Sequence, residues 1–152
     1  MEIERKFLVN RLPKEMEATK GLPIQQGYFS LRDQNVEIRL RQQSSRYWVA
    51  IKAGHGFVRL EEEIQISARS FKALWPLVRE VSVTKTRHRI AYGRHTIEVD
   101  IYHGRQQGLI TADVEFSSTK DAKAFRPPAW LGKEITGNRR YANQVMAREN
   151  SS

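Results

Sequence analysis

The chain contains no cysteine in its 152 residues. That excludes disulfides, thiolate nucleophiles and cysteine-bound metal, and it fits a reducing compartment. No apolar run approaches membrane length, and charge stands at the N-terminus where a signal peptide would need an apolar stretch. The four histidines, His55, His88, His95 and His103, have no zinc-ligand spacing. No internal repeat, low-complexity tract or long linker interrupts the sequence. A single domain over residues 1–152 is therefore expected, cytoplasmic and with no membrane partner.

Charge is what the sequence has in plenty: 26 Lys and Arg against 17 Asp and Glu, a net charge of +9, and 28% charged residues against 39% hydrophobic. The excess of base points to an anionic partner. A nucleic-acid binder segregates its bases on one face and keeps carboxylates away from them. Here acids and bases are interleaved, so no nucleic-acid partner is expected.

The interleaving has a period of two, the signature of strands. Glu2, Glu4 and Lys6 alternate with Ile3, Arg5 and Phe7. Glu37, Arg39 and Arg41 oppose Val36, Ile38 and Leu40, and Trp48, Ala50 and Lys52 oppose Tyr47, Val49 and Ile51. Over 58–66, Arg59, Glu61, Glu63 and Gln65 face away from Val58, Leu60, Ile64 and Ile66, interrupted by Glu62. Lys85, Arg87 and Arg89 share a face over 81–89. Thr96, Glu98 and Asp100 oppose His95, Ile97, Val99 and Ile101, and Thr111, Asp113 and Glu115 oppose Ile110, Ala112, Val114 and Phe116. Residues 25–31 make a further strand carrying Tyr28. Turn signals fall at 33–35, 44–45, 54–56, 93–94 and 104–105.

Helices are expected at four places. Pro13 and Gly21 bracket one over 10–21. Ser67 or Ser70 caps a second, with Phe71, Leu74, Trp75 and Val78 at helical spacing and Pro76 dividing it. Ser118 opens a brief third, stopped by Pro127-Pro128. Asn138 caps a last helix to about Arg148, with Tyr141 and Val145 on its apolar side.

Summed over the strands, one face collects carboxylates and cations while the other is Val, Ile, Leu and Phe. An open sheet could show the charges to water, or a closed barrel could hold them inside with the helices outside. About eight strands enclose room for side chains or one small ligand. Filling such a space with ion pairs alone is costly, because buried pairs often lose to apolar residues of similar size. Bases call for an anion and clustered acids for a metal cation. Guanidinium groups fork onto phosphate oxygens, and Mg²⁺ takes carboxylates, phosphate oxygens and water. The combination points to a metal-bound polyphosphate.

The residues resemble a known family at this point. Glu2-x-Glu4-x-Lys6 resembles the opening signature of the CYTH domain, the triphosphate tunnel metalloenzymes. The resemblance runs in order through EIRLR (37–41), WVAIK (48–52), LEEEIQI (60–66), VTKTRHR (83–89), IEVDIYHG (97–104), ADVEF (112–116) and GKEITGNRRYAN (132–143). It implies an α+β fold: a closed eight-stranded antiparallel tunnel with a charged interior, helices packed outside and a C-terminal plug helix at about 138–148. Its members hydrolyse inorganic triphosphate, nucleoside triphosphates or thiamine triphosphate, or cyclise ATP.

Carried over by position, Glu2, Glu4, Glu61, Glu63, Glu98, Asp100, Asp113 and Glu115 resemble metal ligands or their supports. Lys6, Arg39, Arg41, Lys52, Lys85, Arg87 and Lys133 resemble triphosphate binders. Tyr28 and Lys52 resemble a pair that assists the leaving group, and Glu63 is a candidate to orient the attacking water. Mg²⁺, with Mn²⁺ as the alternative, is implied at two sites. Trp48, Tyr102 and Tyr141 could stack on a base, but no set of residues reads adenine or thiamine. Inorganic tripolyphosphate is thus the expected substrate, ahead of ATP, thiamine triphosphate and cyclisation. A non-catalytic polyphosphate- or RNA-binding module is the alternative of another class. The resemblance allows either a monomer or a homodimer.

Overall fold

The computed structural model describes residues 1–149 except Gln34, His55 and Phe57. The turn expected at 33–35 and the loop expected at 54–56 thus fall partly outside the described residues. Among the described residues nine strands form: β1 (Glu2–Val9), β2 (Leu22–Tyr28), β3 (Val36–Gln43), β4 (Arg46–Ala53), β5 (Val58–Ile66), β6 (Ser82–Tyr92), β7 (His95–Tyr102), β8 (Ile110–Glu115) and β9 (Leu131–Glu134). They run in the order β5-β4-β3-β2-β6-β7-β8-β1-β9, with all pairings antiparallel. An added β5–β1 pairing closes β1 to β8 into a barrel. Three short helices are α1 (Ala68–Leu74), α2 (Thr119–Ala124) and α3 (Asn143–Glu149). Among the described residues no helix is long and apolar enough to cross a membrane.

The alternation sets which side is wet. The apolar residues of each strand point outward, into cores that the helices cover. Phe7, Ile97, Val99, Ala112, Val114 and Phe116 pack with Ala122, Phe125 and Leu131 beneath α2 and β9. Leu40 packs with Phe71 and Val78 beneath α1, where the Phe71 ring stacks on Trp75 at 5.2 Å. Tyr28, Val83 and Tyr102 are exceptions: on the inward faces of their strands, they pack with Met146 and Ala147 of α3 at one end of the barrel. Most charged residues of the strands point inward, Arg5 and Glu62 being outward exceptions. Gly27 is fixed by this packing, since a Cβ there would lie 2.6 Å from Val78 Cγ2.

Closure is short. Among the described residues, Glu2↔Arg59 and Ile3↔Val58 join β1 to β5, and further along the same β1 edge β9 pairs through Phe7↔Glu134 and Val9↔Leu131. Leu60 and Ile64, on the outer side of β5 beyond the seam, are 49% and 61% exposed.

Three expectations differ from the structure. Residues 10–21 give only a 3-10 turn at Lys14–Ala18 with nothing buried. Met16 is the one residue of that turn packed on the core, so no apolar stripe rewards a helix. The last helix is divided: Asn138 caps a 3-10 turn at Arg139–Tyr141, accepting from Arg140 N at 3.1 Å, and α3 starts at Asn143. Its buried residues are Gln144, Met146 and Ala147, a different set from Tyr141 and Val145. Residues 131–134 form a strand that their sequence does not announce.

Candidate active site

Strand register builds the site. Lys6 lies beside Asp113 and Glu4 beside Glu115. Arg87 lies beside Asp100 and Arg89 beside Glu98, and Lys52 between Glu37 and Glu61. Inward-facing opposite charges on neighbouring strands are within reach of each other. All of these but Asp100, Arg89 and Glu37 line a central cavity of about 300 Å³, together with Glu2, Gln26, Arg39, Arg41, Trp48, Glu63, Lys85 and Asn143. A chamber of about 150 Å³ adjoins it at the α3 end, sharing Glu4, Lys6, Arg39, Lys52 and Asn143 and adding Tyr28, Glu37, Arg59 and Tyr141. A wider basin of about 470 Å³ at another rim shares Glu98 and Glu115 and adds Arg89, Arg94 and His95.

On the β6–β7 wall every charge is engaged. Asp100, 0% exposed, accepts from Arg87 Nε at 2.7 Å and Nη2 at 2.9 Å, and pairs with Lys85 Nζ at 2.8 Å. Burial alone would raise the Asp100 pKa, but Lys85 and Arg87 outweigh it and hold the carboxyl well below the usual range. Lys85 Nζ and the Tyr102 hydroxyl both donate to Asn143 Oδ1, at 3.2 and 3.0 Å, which ties the first residue of α3 to this wall.

Elsewhere the cavity is short of partners. Among the described residues Arg41 makes one hydrogen bond, Nε to Gln26 Oε1 at 2.9 Å, and no ion pair. Its register neighbours, Gln26 on β2 and Trp48 on β4, are neutral. Burial, then the charges of Arg39 and Arg87, push its pKa down to about 9. Arg39 reaches Glu63 at 3.3 Å, and its Nε is buried without a partner.

The acids show the opposite deficit. Lys52 Nζ serves both Glu2, at 3.0 Å, and Glu61, at 3.2 Å. Burial, the Glu61 carboxyl and Glu4 still push Glu2 up to about 8. Asp113 is pushed up to about 6 by burial and by Glu4; Lys6 is 3.6 Å away and Asp113 Oδ1 has no hydrogen bond. Burial, Glu61 and Glu98 raise Glu115 as well. Glu4 makes no hydrogen bond or ion pair among the described residues. No three acidic or imidazole groups among the described residues converge into a ready-made metal cage. The donor set nonetheless fits a hard divalent ion, which takes part of its shell from phosphate oxygens and water.

Of the residues singled out from sequence, all but Lys133 line the central cavity or the adjoining chamber, except that Asp100 lies just behind the surface. Lys133 is exposed on β9. Tyr28 and Lys52 share the chamber without a hydrogen bond between them; the Tyr28 hydroxyl accepts instead from Gln26 Nε2 at 2.6 Å. Trp48 lines the cavity, Tyr102 is buried under α3, and Tyr141 lines the chamber. None of the described histidines is a site group: His88 bonds Thr19, His103 bonds Thr86, and His95 packs on Phe116 and Phe125.

Gln26, Asn143 and Arg59, which pairs with Glu37 at 3.3 Å, were not singled out as site residues. For Gln26 the signal is present: it sits two residues before Tyr28, on the same face of the strand.

Comparison with known proteins converges on the same architecture. The inorganic triphosphatase of Nitrosomonas europaea is 40% identical over 149 residues, covering 96% of each chain. That of Acetivibrio thermocellus is 30% identical over 149 residues, covering 97% of this chain and 93% of the other. A crystal structure of an inorganic triphosphatase superposes with a TM-score of 0.71 at 37% identity, over 97% of this chain and 95% of that one. A CYTH-domain family model matches residues 1–141, and with a closed barrel of inward-facing acids and bases behind that match, this chain belongs to the CYTH domain family.

Proposed function

We propose that this protein is a divalent-metal-dependent triphosphatase that hydrolyses inorganic tripolyphosphate to pyrophosphate and phosphate inside the barrel. The observation that carries the reading is Arg41. It is a partly buried guanidinium beside two other arginines, with no carboxylate partner among the described residues, facing a cavity of about 300 Å³. A group so placed is completed by an anion. The relatives named inorganic triphosphatase identify the class of anion.

Phosphoryl transfer passes through a loose transition state, so catalysis is mostly positioning and charge stabilisation. Arg39, Arg41 and Arg87, with Lys6, Lys52 and Lys85, hold the phosphate chain in line. The partnerless oxygen of Asp113 and the raised carboxyls of Glu2 and Glu115 fit Mg²⁺, with Mn²⁺ as the alternative ion, and Glu4, Glu61 and Glu63 would help to hold it at two sites. Bound there, the ion neutralises phosphate charge and lowers the pKa of coordinated water. Glu63 orients the attacking water, and Tyr28 and Lys52 act on the leaving side. Asp100 serves by fixing Lys85 and Arg87.

The test is phosphate release by purified protein from tripolyphosphate, ATP and thiamine triphosphate, each with Mg²⁺, Mn²⁺ or chelator. Metal-dependent turnover fastest on tripolyphosphate is expected. Preference for ATP or the thiamine ester would overturn the substrate assignment. No turnover of any of them would overturn the enzyme reading and favour a binding module.

A further inference from the structure

Gln26 is 1% exposed, so both ends of its amide need partners. Register sets them: on β2 it lies beside Arg41 of β3, and Tyr28, two residues on, faces the same way. Arg41 Nε donates to its Oε1 at 2.9 Å, and its Nε2 donates to the Tyr28 hydroxyl oxygen at 2.6 Å.

The direction of each bond is forced. A guanidinium only donates, so the amide oxygen must face Arg41, and the amide nitrogen must then face Tyr28. The phenol oxygen is therefore the acceptor, and its own hydrogen points elsewhere. That hydrogen has no acceptor among the described residues, and Tyr28 borders the chamber shared with Glu4, Lys6, Arg39 and Lys52. Burial, then Glu37, raises the phenol's pKa, so it stays a neutral donor. Accepting from Gln26 also polarises its O–H and strengthens it as a donor.

We propose that Gln26 is a positioning residue for the triphosphatase reaction. It holds Arg41 against the phosphate chain and turns the Tyr28 hydroxyl so that it donates a hydrogen bond to the departing phosphate oxygen. One amide thus couples an anion contact in the central cavity to a donor in the adjoining chamber. The inference rests on the triphosphatase reading above.

The test is a double-mutant cycle on tripolyphosphate, with the thermal transition of every variant recorded. Gln26→Leu removes both bonds, and is expected to lower kcat about tenfold and raise KM several-fold. Tyr28→Phe is expected to lower kcat by a similar factor with KM nearly unchanged. Because Gln26 acts through Tyr28, the double variant keeps a kcat within about twofold of Gln26→Leu alone. Should Gln26→Leu lose its cooperative transition, Gln26→Met carries the same cycle.

Losses in kcat that multiply would overturn the inference while leaving the triphosphatase reading intact. So would a Tyr28→Phe enzyme as fast as wild type, whatever the Gln26 variants do. Absence of wild-type turnover would overturn both.

Discussion

The tunnel's two walls use the same residue types to opposite ends. On β6 and β7, Arg87 lies directly beside Asp100, and Lys85 closes the group from the same strand. The result is a buried triad with every charge met, which also anchors α3 through Asn143. On β3, Arg41 lies between Gln26 and Trp48, and Arg39 between Tyr28 and Ala50. With neutral neighbours, Arg41 stays available, while Arg39 reaches across to Glu63 at 3.3 Å and keeps its Nε unpartnered. What separates scaffold from binding surface is thus register more than composition. A charge opposite its complement is held in place; a charge opposite a neutral residue waits for a ligand.

The largest effect should come from the saturated wall. Asp100→Ala leaves Lys85 and Arg87 buried without their counter-ion, and breaking such a group costs about 3–5 kcal/mol. Calorimetry should show the unfolding midpoint falling by about 10 °C or more. A variant as stable as wild type would show that the triad is not structural.

On the unsaturated wall the effect should fall on rate. Arg41→Ala is expected to lower kcat/KM on tripolyphosphate by about 10²–10³-fold, while circular dichroism melting stays close to wild type. If Arg41→Ala melts early instead, the two walls are not distinct.

A smaller effect follows from the carboxylates that outnumber their cations, where Lys52 serves both Glu2 and Glu61 and Lys6 stands 3.6 Å from Asp113. Glu2 is raised from 4.5 to about 8 and Asp113 from 3.8 to about 6. Between those limits the folded state holds more protons than the unfolded state, so stability falls as pH rises. Their contribution is fully present below about pH 4 and is lost as pH passes about 6 for Asp113 and about 8 for Glu2. Glu61, lowered to about 2, acts in the opposite sense below the range tested, and Lys85, lowered to about 7, offsets part of the fall between pH 7 and 8. In chelator, melting from pH 5 to 8 should lose about 2 kcal/mol, or about 4–8 °C. Glu2→Gln should remove most of that slope, and an unchanged slope would reject the assignment.

The smallest effects should come from outside the tunnel. Arg5 faces away from the cavity, bonding Glu134 at 2.7 and 2.9 Å and the Ala122 and Phe125 carbonyls. Arg5→Ala should cost about 1–2 kcal/mol of stability with kcat unchanged. A drop in kcat at full stability would place Arg5 in the mechanism.

The alternation that makes these walls was legible in the sequence. Strict period-two patterns such as Glu37-Ile38-Arg39-Leu40-Arg41 fix strand and facing together, and the order of the motifs indicated closure into a tunnel. What was not legible depends on pairing. Nothing within β6 says that Arg87 is spoken for, because its partner Asp100 lies on the next strand. Gln26 escaped notice because counting charges on a face passes over a neutral amide. Residues 131–134 offer too few residues to establish alternation, and β1's free edge turns them into a strand. Residues 10–21 had helix punctuation at both ends, Pro13 and Gly21, but no apolar face to bury.

The most direct test of the central claim is phosphate release from tripolyphosphate by the wild-type protein as Mg²⁺ is titrated in from excess chelator. If the cavity lacks both an anion for Arg41 and a cation for Glu2, Glu4 and Glu115, release should be absent in chelator and rise saturably with Mg²⁺. Release independent of the metal, or none at any Mg²⁺ concentration, would contradict it.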